Sequence, residues 1–194
     1  MAVVRAFKGS ATHADLESLP DHVVGEIVGG ELFVSPRPAA PHAIASTAVT
    51  GELMPPFQFG RNGPGGWWFM IEPELHLASD VLVPDLAGWR RTRMPTPPRT
   101  AAIELAPDFL CEVLSPSTAT FDRTHKLASY ARAGVRHVWL VDPLARTLEV
   151  LRLDGTSWRV AGNFGDLQRV RAEPFEAIEL ELALWWGDAS PEVG

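Results

Sequence analysis

Through the middle third of the chain apolar and polar residues alternate with the period of two that marks strands. From Gly66 to Leu77, an extended chain sets Trp67, Phe69, Ile71, Leu75 and Leu77 on one face and Trp68, Met70, Glu72, Glu74 and His76 on the other. A second run, Val81 to Trp89, gathers Val81, Val83, Asp85, Ala87 and Trp89 on a common face. A third, Asp108 to Leu114, ends at Ser115-Pro116-Ser117, and a fourth, His137 to Val141, stops at Asp142-Pro143.

Helical spacing interrupts this pattern in three places. Thr12 and Asp15 have the separation of a capping pair and predict a short helix to about Leu19. Ile44, Ala45, Ala48, Val49 and Leu53 predict a helix from His42 to about Met54. A third helix is expected over Asp122 to Ala133, capped by Asp122 and ended by Gly134. Gly29-Gly30 lies between the strand-like runs Val23 to Val28 and Glu31 to Ser35, which predicts a tight hairpin. Another hairpin, Thr147 to Val160, turns at Asp154-Gly155, and Phe175, Ile178, Leu180, Leu182, Trp185 and Trp186 are expected to pack back on the body. The order predicts an α/β (α+β) fold, a mixed β-sheet flanked by helices, with an N-terminal helix and β-hairpin.

The length, 194 residues, suits a single domain over 1–194. With 46% hydrophobic and 21% charged residues the chain reads as a soluble globular protein. No apolar stretch approaches the roughly 18 residues of a membrane span, and Met1 to Lys8 lacks the apolar core of a secretory signal. A cytoplasmic location and no membrane partner are therefore expected. The single cysteine, Cys111, excludes an internal disulfide and cysteine-based zinc sites, so any metal must be held by oxygen or imidazole. The net charge of −7 opposes bulk electrostatic attraction to nucleic acid but not a local basic surface.

Two carboxylates stand out because their neighbours read as core: Asp85 in Val83-Pro84-Asp85-Leu86-Ala87 and Glu112 in Leu110-Cys111-Glu112-Val113-Leu114. A buried carboxylate needs a cation or hydrogen-bond donors. On neighbouring strands the two could converge on one divalent metal; alternatively each bonds a backbone group or an arginine. Lys126, at the edge of the apolar stripe of its helix, either reaches these strand ends or is a solvated or ion-paired charge.

Val83-Pro84-Asp85, Cys111-Glu112-Val113-Leu114-Ser115-Pro116-Ser117-Thr118, Asp122, Lys126, Tyr130, Gly134-Val135 and Trp139-Leu140-Val141-Asp142-Pro143 together resemble the Uma-two family of restriction endonucleases, within the PD-(D/E)XK nuclease-like superfamily. Gly30-Glu31-Leu32, Ser35-Pro36 to Pro41-His42 and Glu74 fit the same pattern, so the resemblance covers about residues 12–185, with a nuclease-like core at about 42–142. It implies a DNA endonuclease with Asp85 and Glu112 as ligands of Mg²⁺ (or Mn²⁺), and Glu74 or Glu72 as a further acidic ligand. Lys126 would be the catalytic cation, with Glu31, His42 and Tyr130 in support. Leu114 stands where the acid-x-lysine motif of the superfamily has its lysine, so Lys126 would have to supply that charge from the following helix.

Arg90, Arg91, Arg93 and Arg99 form a basic run after the Asp85 strand and are the expected DNA contacts; in general such runs are solvated faces. Trp67, Trp68 and Trp89 have the spacing of core strand residues. The expected DNA binding is weak, metal-dependent and salt-sensitive, and cutting both strands with one site per chain favours a homodimer. The competing expectation is a catalytically inactive nuclease-fold module for binding or dimerisation.

Overall fold

A computed structural model of the protein describes residues 4–5, 10–37 and 39–188. It opens with β1 (Val4–Arg5) and α1 (His13–Glu17), whose start is fixed as its spacing predicts: the amide and hydroxyl of Thr12 both donate to the Asp15 carboxylate, at 2.7 and 2.8 Å. β2 (Val23–Val28) and β3 (Glu31–Pro36) form the expected hairpin. Gly29 and Gly30 take φ of 60° and 78°, the left-handed pair that a two-residue turn requires. Helix α2 (Ala40–Leu53) begins two residues before the predicted start, with Pro41 in its first turn, and continues through a π-helical turn (Met54–Gln58).

The two long strand runs of the middle third are each broken in two. The first becomes β4 (Trp67–Ile71) and β5 (Glu74–Leu77), the second β6 (Asp80–Leu82) and β7 (Leu86–Arg90). Pro73 and Pro84, which lack the N–H a ladder needs, fall in the two gaps. The result is one long hairpin, Trp67 to Arg90, whose turn half (β5, β6) lies in one sheet and whose open half (β4, β7) lies in another. Glu72, with φ +46°, closes the break by donating its N–H to the Asp85 carbonyl at 3.2 Å. Ile71, placed inward by simple alternation, ends β4 at this break and is exposed.

The remaining elements are β8 (Ala102–Ile103), β9 (Phe109–Val113), the helical segment α3 (Ala119–Phe121), π turn (Asp122–Lys126) and α4 (Leu127–Arg132), then β10 (His137–Asp142), β11 (Thr147–Asp154), β12 (Ser157–Gly165), β13 (Arg169–Val170), β14 (Leu180–Glu181) and a 3₁₀ turn (Leu182–Trp186). One six-stranded sheet has the order β1-β3-β2-β6-β5-β8 and the other β12-β11-β10-β9-β7-β4, each with a single parallel pair, β5·β8 and β9·β10. The fold is thus α+β, with mixed sheets and few helices, and the expected single sheet resolves into two.

The central strands of the second sheet, β7, β9 and β10, are buried on both faces. Cys111 and Val113 of β9 face α2, Trp139 and the C-terminal residues Phe175, Leu182 and Trp185. Leu110 and Leu114 face Tyr130, Phe121 and the strands of the first sheet. Glu112 belongs to this second face, which is why a charged residue ends up inside. Glu52 of α2 accepts the Glu181 N–H at 2.9 Å and the Trp185 indole N–H, fixing the tail to the body. Gly134, at φ 74°, ends α4 as its position predicts, and the Val135 N–H returns to the Tyr130 carbonyl at 3.0 Å.

Candidate active site

The break in the long hairpin places Asp85 at the junction of the two sheets. One step beyond the last assigned pair, Leu86 with Cys111, the register sets Asp85 across from Glu112, with both side chains on the face toward the helix. Val113 then lies past the last assigned ladder pair, and its N–H goes to the Asp85 carboxylate at 2.7 Å. The other Asp85 oxygen meets His42 Nε2, from the first turn of α2, at 3.0 Å. A cleft of about 580 Å³ opens here, lined by Glu26, His42, Glu72, Asp85, Glu112, Asp122, Lys126 and the Ser115–Thr118 turn among others.

Lys126 is 3% exposed, and the reason is local. A regular helix would carry it to the edge of the apolar stripe, but the π-helical turn Asp122–Lys126 widens one turn and brings both Asp122 and Lys126 inward, leaving Arg123, Thr124 and His125 outside. The ammonium group lies 2.9 Å from Glu112 Oε1, 3.0 Å from Glu26 Oε1, 3.2 Å from the Val83 carbonyl and 3.8 Å from Asp122 Oδ1. The three nearest contacts use its three N–H donors. Tyr130 donates its hydroxyl to the same Glu112 oxygen from one helical turn further on. The helix begins earlier than predicted, so Asp122 is not its cap but a buried member of this cluster.

Five carboxyl groups therefore share the cleft with one ammonium, one imidazole and, at the rim, the Arg37 guanidinium. Burial pushes the Glu112 carboxyl well above the usual range despite Lys126 beside it, and it lifts Asp122 to about 6. Burial also works against the charge of Lys126, but Glu112 and Glu26 outweigh it and hold the amine well above its ordinary value. For His42 burial is likewise outweighed, here by the hydrogen bond and charge of Asp85, and the imidazole titrates above its ordinary range. Its Nδ1 is buried with no partner among the described residues. The five carboxyl groups supply oxygen donors rich in negative charge, and they fit a hard divalent cation.

A model of the family described as "Putative restriction endonuclease", Uma2, matches residues 13–184. The chain belongs to the Uma2 family. A crystal structure described as a "putative nuclease belonging to DUF820 from Anabaena variabilis" superposes with a TM-score of 0.72 at 18% identity, covering 91% of this chain and 98% of that one, and shares the fold. No curated protein matches the sequence.

Of the residues expected in the site, this Uma2 chain brings together Asp85, Glu112, Lys126, His42 and Tyr130, with Glu72, the alternative to Glu74, at the rim. Glu74 is a correction. It lies beyond the Pro73 break, does not line the cleft, and meets His13 and His76 instead. Glu31 sits at the hairpin turn opposite Val28 and does not line the cleft either. The arginines lie apart from the cleft: β7 runs away from Asp85, so Arg90 lies about 16 Å along the strand at roughly 3.3 Å per residue. Arg90 covers the Trp67 ring, Arg91 covers Trp68 and donates to the Gln58 carbonyl, and Arg93 pairs with Asp108. Trp67 and Trp89 are buried core residues. Glu26 is the site residue that the sequence reading missed, although an acid within the apolar run Val23-Val24-Gly25-Glu26-Ile27-Val28 is the same signal that flagged Asp85 and Glu112.

His42 offers a direct check on this electrostatic arrangement. Its imidazole should titrate above the ordinary value of about 6.5 in the native chain and below it in Asp85→Asn, where burial persists and the partner's charge is gone. Because the folded-state value is raised, the stability His42 contributes is complete below the unfolded value and is lost as pH rises through the folded one. Imidazole NMR shifts followed against pH read both; equal titration in the two proteins would refute the assignment.

Proposed function

We propose that the chain is a metal-dependent endonuclease that hydrolyses phosphodiester bonds of DNA in the cleft between the two sheets. The observation that carries this reading is the convergence of Asp85, Glu112 and a fully buried Lys126, with the amine 2.9 Å from Glu112. Asp85 and Glu112 would hold Mg²⁺ or Mn²⁺, with Glu26, Asp122 and Glu72 as the nearby acids. Bound there, the ion supplies Lewis-acid polarisation and lowers the pKa of an attacking water.

The residues of the chain divide the remaining work. The Val113 N–H and His42 fix the Asp85 carboxylate, and Tyr130 with Lys126 fix Glu112, so both acids are oriented before substrate arrives. Lys126 brings the positive charge that Leu114 does not, at a point where the phosphate gains negative charge as its bond breaks. This arrangement speaks against the inactive-module reading as far as that rests on the missing strand lysine; the acidic pI of 5.3, its other support, is unaffected. Arg37, exposed at the rim, is placed to meet a phosphate backbone, which gives the weak, salt-sensitive binding expected of an acidic chain. Cutting a duplex with one cleft per chain calls for two copies, so a homodimer belongs to this proposal. Among the described residues no helix is long and apolar enough to cross a membrane.

The test is incubation of the full chain with supercoiled plasmid, single-stranded DNA and RNA in Mg²⁺ or Mn²⁺, with and without EDTA. Cleavage of DNA is expected with metal, none with chelator, and none in Asp85→Ala or Glu112→Ala. Cleavage that survives in both variants would place the chemistry elsewhere.

A further inference from the structure

A second cluster of metal-capable side chains stands outside the cleft. His13 of α1 and Glu74 and His76 of β5 each present one ligand atom, and the three atoms lie within 4.8 Å of one another. His13 Nε2 is 3.2 Å and His76 Nε2 2.7 Å from Glu74 Oε1. Ligands of a tetrahedral ion with bonds of 2.0–2.1 Å are about 3.3 Å apart, so these separations need only small side-chain rotations to enclose one. The imidazole rings are tilted at 56° with centroids 5.5 Å apart, so they are not stacked flat on each other.

We propose that His13, Glu74 and His76 form a site for a divalent transition-metal ion of the zinc type, distinct from the cleft. Two features beyond the cluster itself support it. The Nδ1 of His13 faces the Glu17 carboxylate one helical turn on, at 3.5 Å, which is the outer carboxylate–histidine arrangement that orients a ligating imidazole. The ligands also come from elements far apart in sequence: α1 rests on the first sheet through Leu16 and Leu19 against Ile27, Leu32 and Val81, and the ion would tie its first residue to β5. Two imidazoles and one carboxylate suit Zn²⁺ or Co²⁺, whereas the carboxylate-rich cleft suits Mg²⁺ or Mn²⁺. The side chains are 46%, 35% and 31% exposed, which leaves the fourth position to water. The role that follows is a clamp on the N-terminal helix, independent of the nuclease reading.

The test uses the full chain titrated with Co²⁺, followed by its visible absorption, and with Zn²⁺ in competition with a chromogenic chelator. Both titrations are repeated in a Glu112→Gln background so that the cleft does not contribute. One equivalent is expected to bind in that background. Binding should weaken at least tenfold in His13→Ala and in His76→Ala, and about tenfold in Glu17→Gln. Zn²⁺ should raise the melting temperature of the native chain and not that of His76→Ala. Affinity unchanged in His76→Ala, or no binding at micromolar ion in the native chain, overturns the proposal. These positions are at least partly exposed, and circular dichroism of each variant separates lost ligation from lost folding.

Discussion

Lys126→Met should reduce the rate of DNA cleavage by about 10²- to 10⁴-fold, the range seen when a positioned proton-transfer or charge-stabilising group is removed. The substitution keeps the bulk of the side chain and deletes the buried positive charge in contact with Glu112. Lys126 sits in contact with Glu112 and Glu26 and near Asp122, so its loss leaves several buried acids facing one another. Breaking such a pair destabilises by about 3–5 kcal/mol when the remaining group stays charged. Two measurements separate the causes. Lys126→Arg keeps a cation and should retain most of the stability, while losing activity because a planar guanidinium cannot match three donors around one nitrogen. Thermal melting of Lys126→Met should rise with added Mg²⁺, since a bound ion restores the missing positive charge. A Lys126→Met protein that cleaves DNA at the native rate would remove the amine from the reaction.

The largest effect on stability should come from the far side of the second sheet. Phe175 is fully buried and its ring lies 4.7 to 5.7 Å from those of Phe57, Trp67, Phe69, Phe109 and Trp139. No other ring is shared by α2's π turn, β4, β9 and β10 at once among the described contacts. Phe175→Ala should cost about 3–5 kcal/mol, because five aromatic neighbours cannot all close on the space it leaves. For a chain of this size that corresponds to a fall in melting temperature of roughly 6–20 °C. Phe175→Leu should lose much less. Since the cluster faces away from the cleft, activity per folded molecule should hold at low temperature. A drop below about 1 kcal/mol in urea or thermal unfolding would mean that the tail contributes little to the core.

The sequence made the architecture legible where local chemistry and tertiary packing agree. The Gly29-Gly30 hairpin, the Thr12–Asp15 cap, the stop at Gly134 and the buried acids Asp85 and Glu112 follow from residue type and spacing alone. Difficulty arose where a period changed without an obvious marker. Alternation through Glu72-Pro73 and Val83-Pro84 reads as one continuous sheet and sets Glu72 and Glu74 on one face, so it leaves the two acids undivided, whereas the break assigns only Glu72 to the cleft. Both prolines were visible, but only the pairing of the two arms shows that they align. Lys126 was placed by the regular helical period, and a π turn has no composition that announces it. The arginines at 90, 91 and 93 lie apart from the cleft for another reason: each has a partner within the protein that proximity in sequence does not reveal.

The π turn also bears on how this segment can vary in length. It holds one more residue per turn than the ladder on either side, and that residue sets the rotation between Tyr130 and the Asp122–Lys126 pair. Deleting any one position between Ala119 and Lys126 would restore a regular ladder and swing the residues upstream by about 100° relative to Tyr130. Side chains along the exposed edge, Arg123, Thr124 and His125, make their contacts outside the cleft, with Glu149, the Thr120 carbonyl and the rings of Phe33 and Phe121, so exchanging them spares the site whereas changing the number of residues does not. The segment is thus tolerant in identity and intolerant in length, the reverse of what an outward-facing stretch between two strands ordinarily allows.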